Sequence, residues 1–234
     1  MAIRAVTLDC AGTLVQVDWQ IDRFAVEAAA HAGLELPPEA SSIYRRMFGE
    51  RLPEFIALNR LRDPSAGKEF YRRLNGEWLA LFDIGPDKVI PLEESADLLA
   101  FGPGSTLFSL FEDALPALKT LRDKGLRIAI VSNWDYTLHR VLEMLGISPF
   151  LEFALASLEE GFEKPDPRLF HLALDRLSLR AEEVLHIGDH TLDDLEGARN
   201  AGMPSCLLDR GGLAELPGRL SSLTQIPEAI ACLS

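Results

Sequence analysis

The stretch V-T-L-D-C-A-G-T-L-V, residues 6–15, carries an apolar run straight into a carboxylate, Asp9, and then turns at Gly12. An apolar segment that stops on a charged residue followed by glycine reads as a buried strand whose end leaves the core. This first run extends back to Ile3. Four more have the same form: Ile128 to Val131 before Ser132, Phe153 to Ala156 before Ser157, Val184 to Ile187 before Gly188-Asp189, and Ser205 to Leu208 before Asp209. Helix-period stretches lie between them. In 113–124, Leu115, Leu118 and Leu121 share a side and Lys124-Gly125 is a stop; in 137–146, Leu138, Val141, Leu142 and Leu145 precede Gly146. Continuous apolar strands separated by amphipathic helices predict a parallel sheet covered on both faces, with ligands beyond the carboxyl ends of the strands. The polar residues that end the strands are therefore expected in one crevice.

The alternation fails between residues 16 and 105, where the pattern turns helical: Arg23 to Ala32, Ile43 to Phe48, and Phe70 to Phe82 with Tyr71, Leu74, Trp78 and Leu81 at helical spacing. Pro37-Pro38, Asp63-Pro64-Ser65, Gly85-Pro86 and Gly102-Pro103-Gly104 punctuate this segment. The expected organisation is an α/β core from residues 1–15 and 106–234 with an inserted α-helical module, 16–105. A length of 234 residues with 47% apolar content suits one domain carrying an insertion.

A formal charge of −13 argues against duplex nucleic acid or an anionic membrane as partner, since both demand clustered Lys and Arg, but leaves room for a site taking one phosphate. Cys10, Cys206 and Cys232 are scattered and lack C-x-x-C spacing, so neither a disulfide frame nor a zinc knuckle is expected. With no apolar stretch near membrane-span length and a strand-like run beginning just after Met1-Ala2, a soluble cytoplasmic setting is the expectation.

Four polar pieces collect at the predicted sheet edge: Asp9 with Gly12-Thr13, Ser132-Asn133, Lys164 in E-K-P-D-P, and G-D-H-T-L-D-D from Gly188 to Asp194. Phosphoryl transfer calls for a positioned nucleophile, which a carboxylate can supply through an acyl-phosphate, and for cations around the developing charge. In order and spacing the four pieces resemble motifs I to IV of the haloacid dehalogenase superfamily, and the helical insert is similar to its C1-type cap. The wording S-N-W-D and G-F-E-K-P-D-P-R-L-F is most similar to the HDHD3/REG-2-like branch. The resemblance implies a Rossmann-like core and an enzyme acting on a small phosphorylated metabolite. It makes Asp9 the nucleophile, Ser132 a donor to a phosphoryl oxygen, and Lys164 the neutralising cation. Mg²⁺ would be held by Asp9, the main-chain carbonyl of Ala11, Asp189 and Asp194. Asp194 is preferred to Asp193 because the run from Asp194 to Gly202 fits the family's D-x-x-G-A-x-x-A-G. Thr13 and groups at Cys10 and Asn133, their main-chain amides included, would add contacts to the substrate.

One residue departs from the pattern. In the family's phosphatases an Asp two places after the nucleophile protonates the leaving group and then activates water; here that place is Ala11, and a methyl does neither. Slow hydrolysis of esters with good leaving groups is expected. The readings set against it are a phospho-ligand or protein binding module without turnover, a phosphonatase-type activity, and a dehalogenase. Phosphonatases share the alanine but need an early cap lysine, and none lies between Asp9 and Lys68; dehalogenases usually read D-x-Y-G-T and work without metal. The bland alternatives are a turn-forming Asp9, a helix-capping Ser132 and a solvated Lys164. A thiolate role for Cys10 fails because Gln16 stands where a closing arginine belongs. His190 is ambiguous, and Arg45-Arg46, Arg60, Arg62 and Arg72-Arg73 read as solvated faces, one of which could reach an anionic substrate. Oligomeric state has no sequence signature.

Overall fold

In the computed structural model, residues 2–105, 107–212 and 218–233 are described. The elements run β1 (Ala5–Leu8), β2 (Val15–Val17), α1 (Ile21–His31), α2 (Ala40–Asn59), α3 (Pro64–Ala80), α4 (Val89–Phe101), β3 (Phe108–Leu110), α5 (Ala114–Asp123) and β4 (Arg127–Ser132). There follow α6 (Leu138–Met144), β5 (Phe153–Ala156), α7 (Ser157–Glu160), α8 (Pro167–Leu177), β6 (Val184–Gly188), α9 (Gly197–Asn200), β7 (Ser205–Leu208), β8 (Arg219–Leu220) and α10 (Ile226–Leu233).

The main sheet has the order β5-β4-β1-β6-β7-β8, and its strands pair in parallel. β1 and β4 are apolar and buried almost throughout because both faces of the sheet are covered. On one face α8 presents Leu169, Phe170, Ala173, Leu174 and Leu177 to a core that includes Ala5, Val131, Leu155 and Val184. The five apolar runs expected to be strands are β1, β4, β5, β6 and β7. The pairs β2–β3 and the short β8 were not legible, since two or three residues carry no readable period.

The chain divides into two compact units, residues 1–17 with 109–234, and 18–108. Sequence pattern put the crossings at 15/16 and 105/106; the units divide at 17/18 and 108/109, where β2 and β3 lie. The second unit is built from α1 to α4 around Tyr44, Phe55, Phe70, Leu74, Trp78 and Leu79. Trp78 lies edge-on to Tyr44 at 4.8 Å and donates its indole N–H to the Ala40 carbonyl at 3.0 Å. Helix α2 is far longer than the expected 43–48 because it continues through Pro53, with Phe48 and Phe55 on either side packed on Phe70. Packing here overrides a residue that normally breaks a helix. Helix α4 was not expected: Pro91 near its start and apolar residues around its circumference hide any stripe.

Candidate active site

Register sets the site. Thr7 of β1 lies opposite His186 of β6, and Leu8 opposite Ile187; one step on, the Asp9 amide donates to the Ile187 carbonyl at 2.9 Å. Alternation along the strands places Thr7 and Asp9 on one face, with His186 and Gly188 beside them. Gly188 has to be glycine: a Cβ there would lie 2.1 Å from Asp194 Cγ. Gly12 is doubly constrained, with φ at +75° and a Cβ that would fall 2.3 Å from Asp189 Oδ2.

Lys164 arrives from the loop ahead of α8. That helix starts cleanly because Asp166 caps it, accepting from the Arg168 amide at 2.9 Å, and Pro167 occupies the first helical position. Asn133 clamps the lysine backbone, donating Nδ2 to its carbonyl at 2.9 Å and accepting from its amide at 2.8 Å. The Lys164 ammonium then donates to Asp9 Oδ1 at 2.7 Å and to Asp194 Oδ1 at 2.5 Å. Ser132 Oγ donates to the same Asp9 Oδ1 at 2.9 Å. Lys164 is 3% exposed and Asp194 1%, so this is a desolvated ion triad rather than a surface pair. Asp194 sits in a π-helical turn, Thr191–Glu196, and its Oδ2 accepts from the His190 amide at 2.9 Å. Asp189 is more exposed, and its Oδ1 accepts from Thr13 Oγ1 at 3.2 Å. Asp9, Asp189 and Asp194 each offer an oxygen within 4.8 Å of the others.

The charges are unevenly matched, three carboxylates to one ammonium. Burial disfavours the charged form of Lys164, but Asp9 and Asp194 outweigh it and hold the ammonium above the usual lysine range. Burial likewise pushes the Asp194 carboxyl up, yet the His186 hydrogen bond and the Lys164 charge bring it well below the usual carboxylate range. Asp189 rises: burial, then the negative charges of Asp9 and Asp194, outweigh the lowering by the Thr13 hydrogen bond. The pocket is short of positive charge on the side of Asp189. All three candidate ligands are hard carboxylate oxygens, and their donor set fits Mg²⁺.

Asp9, Ser132, Lys164, Asp189 and Asp194 thus come together, and beside them the side chains of Thr13 and Asn133 bond to protein groups. Thr13 is spent on Asp189 and Asn133 on Lys164. The Cys10 thiol is fully buried and raised well above its usual range by that burial and by Asp9, while its carbonyl accepts from the Leu14 and Val15 amides at 2.9 Å. The Thr13 and Asn133 side chains and the Cys10 carbonyl hold the loops in place. Ala11 lies in the turn between Asp9 and Gly12, bridged to Val15. The His190 ring is exposed and accepts from the Asp193 amide at 3.2 Å, capping the turn.

Sequence reasoning missed two residues, His186 and Arg210. His186 places Nε2 3.2 Å from Asp194 Oδ1 and Nδ1 2.9 Å from Thr7 Oγ1. Its signal was a histidine inside an otherwise apolar strand. Arg210, just past β7, donates to the Thr13 carbonyl at 2.7 Å and, through both terminal nitrogens, to Asp113 at 2.9 and 3.0 Å, with its guanidinium 3.8 Å above the Phe111 ring. Nothing local in the sequence couples it to residue 13.

A parallel sheet that gathers carboxylates, a lysine and a hydroxyl beyond its strand ends defines a Rossmann-like hydrolase. The family model for haloacid dehalogenase-like hydrolases matches residues 3–202, and the chain belongs to that family. A solved 2-haloacid dehalogenase from Pseudomonas syringae superposes with a TM-score of 0.68 at 26% identity, covering 99% of this chain and 100% of its own. The bovine haloacid dehalogenase-like hydrolase domain-containing protein 3 is 40% identical over 101 residues, 43% of this chain and 40% of that protein; the chain thus matches less than half of that relative's length. A glyceraldehyde 3-phosphate phosphatase from Methanopyrus kandleri is 28% identical across 93% of this chain and 88% of its own. Among the described residues no helix is long and apolar enough to cross a membrane.

Proposed function

We propose that the chain is a Mg²⁺-dependent phosphatase of small phosphorylated metabolites working through an aspartyl-phosphate on Asp9. The observation that carries this reading is the convergence of Lys164 and Ser132 on a single oxygen, Asp9 Oδ1. It leaves Oδ2 as the attacking atom and sets an ammonium and a hydroxyl where phosphoryl oxygens would lie. Asp9 attacks phosphorus, the ester oxygen departs with its electron pair, and water then cleaves the acyl-phosphate to release phosphate and regenerate the carboxylate. Asp9, Asp189 and Asp194, with the Ala11 carbonyl, would hold Mg²⁺, which when bound offsets the negative charge of the phosphoryl oxygens. The likeness to the Methanopyrus kandleri phosphatase supports phosphoryl chemistry. Residues 16–105 are the cap in this reading, and three free cysteines suit a reducing cytoplasm.

Ala11 sets the substrate class. A proton donor at that place is worth about 10²–10⁴-fold in rate, or ~3–5 kcal/mol of barrier. Substrates whose leaving groups need no protonation, such as aryl and acyl phosphates, are therefore favoured over alkyl esters. The same alanine supports a second reading, a phospho-ligand binding module without turnover. A Mg²⁺ assay with p-nitrophenyl phosphate, acetyl phosphate and a phosphometabolite panel separates the two, with Asp9→Asn as control. Turnover abolished by Asp9→Asn is expected. Activity that survives the substitution, or wild-type protein that binds phosphate without turnover, overturns the phosphatase reading.

A further inference from the structure

The geometry points to His186 as a positioning residue that fixes Asp194, and through it Lys164, for the chemistry at Asp9. Two ionised carboxylates can only accept, so Asp194 and Asp9 are joined through the Lys164 ammonium that they share. The direction in which Asp194 points therefore decides where the ammonium stands. Three donors set that direction. The His190 amide takes Oδ2, and the other oxygen receives Lys164 and His186 together. Of these, the histidine alone is neither part of the Asp194 turn nor the group being positioned.

His186 is suited to this by its place in the sheet. Its ring is wholly buried, lies edge-on to Phe170 at 5.0 Å, and sits in register with Thr7 on the neighbouring strand. Nε2 faces a carboxylate oxygen, which can only accept, so Nε2 carries a proton. Thr7 Oγ1 bonds the opposite ring nitrogen and so keeps the ring from turning over. Gly188, next on the same face, vacates the volume that the Asp194 carboxylate fills. Thr7, His186 and Asp194 form a chain running from the sheet core to the site, and partners of a site carboxylate at this remove typically matter by about 10–100-fold.

This inference rests on the phosphatase reading for its kinetic arm and on geometry alone for its structural arm. In the full-length chain, His186→Leu removes the donor at similar volume, and His186→Gln restores an N–H near the Nε2 position. With p-nitrophenyl phosphate, His186→Leu is expected to lower kcat by about 10–100-fold with KM changed by less than about twofold, because the residue orients reacting groups without meeting substrate. Calorimetry with Mg²⁺ alone should show affinity reduced by about tenfold, and His186→Gln should recover most of both losses. Equal defects in the Leu and Gln variants at equal melting temperature overturn the inference, as does an unchanged kcat in His186→Leu. Should His186→Leu fail to fold, Thr7→Val carries the test, with a kcat loss of about 3–10-fold expected and no loss refuting it. A crystal structure of His186→Leu keeping Asp194 Oδ1 and Lys164 Nζ at their native distance overturns it whatever the turnover, whereas wild type lacking Mg²⁺-dependent turnover refutes only the phosphatase reading.

Discussion

Replacing Lys164 with Met removes the ammonium between two buried carboxylates while keeping most of the volume of its stem. Its two contacts, 2.7 Å to Asp9 and 2.5 Å to Asp194, hold side chains that are 10% and 1% exposed. Deleting one partner of such a buried set typically costs about 3–5 kcal/mol, because the remaining charge stays out of water without compensation. For a chain of this size about 1 kcal/mol moves Tm by ~2–4 °C, so a fall of about 6–20 °C at neutral pH is expected. The sign of the pH dependence is specific. In the wild type the Asp194 carboxyl is lowered, so its stabilisation is present above the unfolded value and lost as pH falls through the folded one. In Lys164→Met the burial that pushes Asp194 up is opposed by His186 alone, so the carboxyl rises and its ionised form is less well compensated. Acidification from neutral pH should therefore narrow the gap between variant and wild type, and saturating Mg²⁺ should narrow it at neutral pH, because carboxylates without the competing ammonium bind the cation more tightly in the variant than in the wild type. Thermal and urea unfolding followed by tryptophan fluorescence, at several pH values and with and without Mg²⁺, make the comparison. A loss under about 1 kcal/mol, or one that grows on acidification, refutes the account of the triad.

Ala11→Asp should raise phosphomonoesterase turnover at least about tenfold, most for alkyl esters; equal rates on several esters would mean that the proton comes from elsewhere. Mg²⁺ binding measured by calorimetry should vanish in Asp189→Ala. In the wild type that affinity should weaken on acidification while still above the ordinary aspartate value of about 3.9, because the raised Asp189 carboxyl must be ionised to bind; weakening confined to lower pH rejects this. Of the three thiols, Cys10 and Cys206 are buried and Cys232 is exposed, so a thiol reagent should react fast with one site in the native protein and with three after denaturation. Fast native labelling of Cys10, found by mass spectrometry, contradicts the packing around Asp9.

Much of the core was legible because its signals are local. An apolar run ended by Asp9, Ser132 or Gly188-Asp189 states both that a strand is buried and that its end leaves the core, and parallel strands send those ends one way. The turn at Gly12 is local too, since it rests on that residue's own backbone angle. Helix α4 was not legible because Pro91 and apolar residues all round it hide any stripe, nor was the passage of α2 through Pro53, where packing by Phe48, Phe55 and Phe70 outweighs propensity.

What the sequence by itself determined was which chemical groups stand at the strand ends and that one acid, at residue 11, is missing. Tertiary structure alone decided how those groups are spent. Asn133 and Thr13 hold Lys164 and Asp189, Arg210 reaches back across nearly the whole chain to residue 13, and His186 meets Asp194 because register sets it beside Thr7. The reason is physical: strand and helix formation depends on neighbours a few residues apart, whereas a hydrogen bond between residues 176 or 197 positions apart exists only once the sheet has closed the distance.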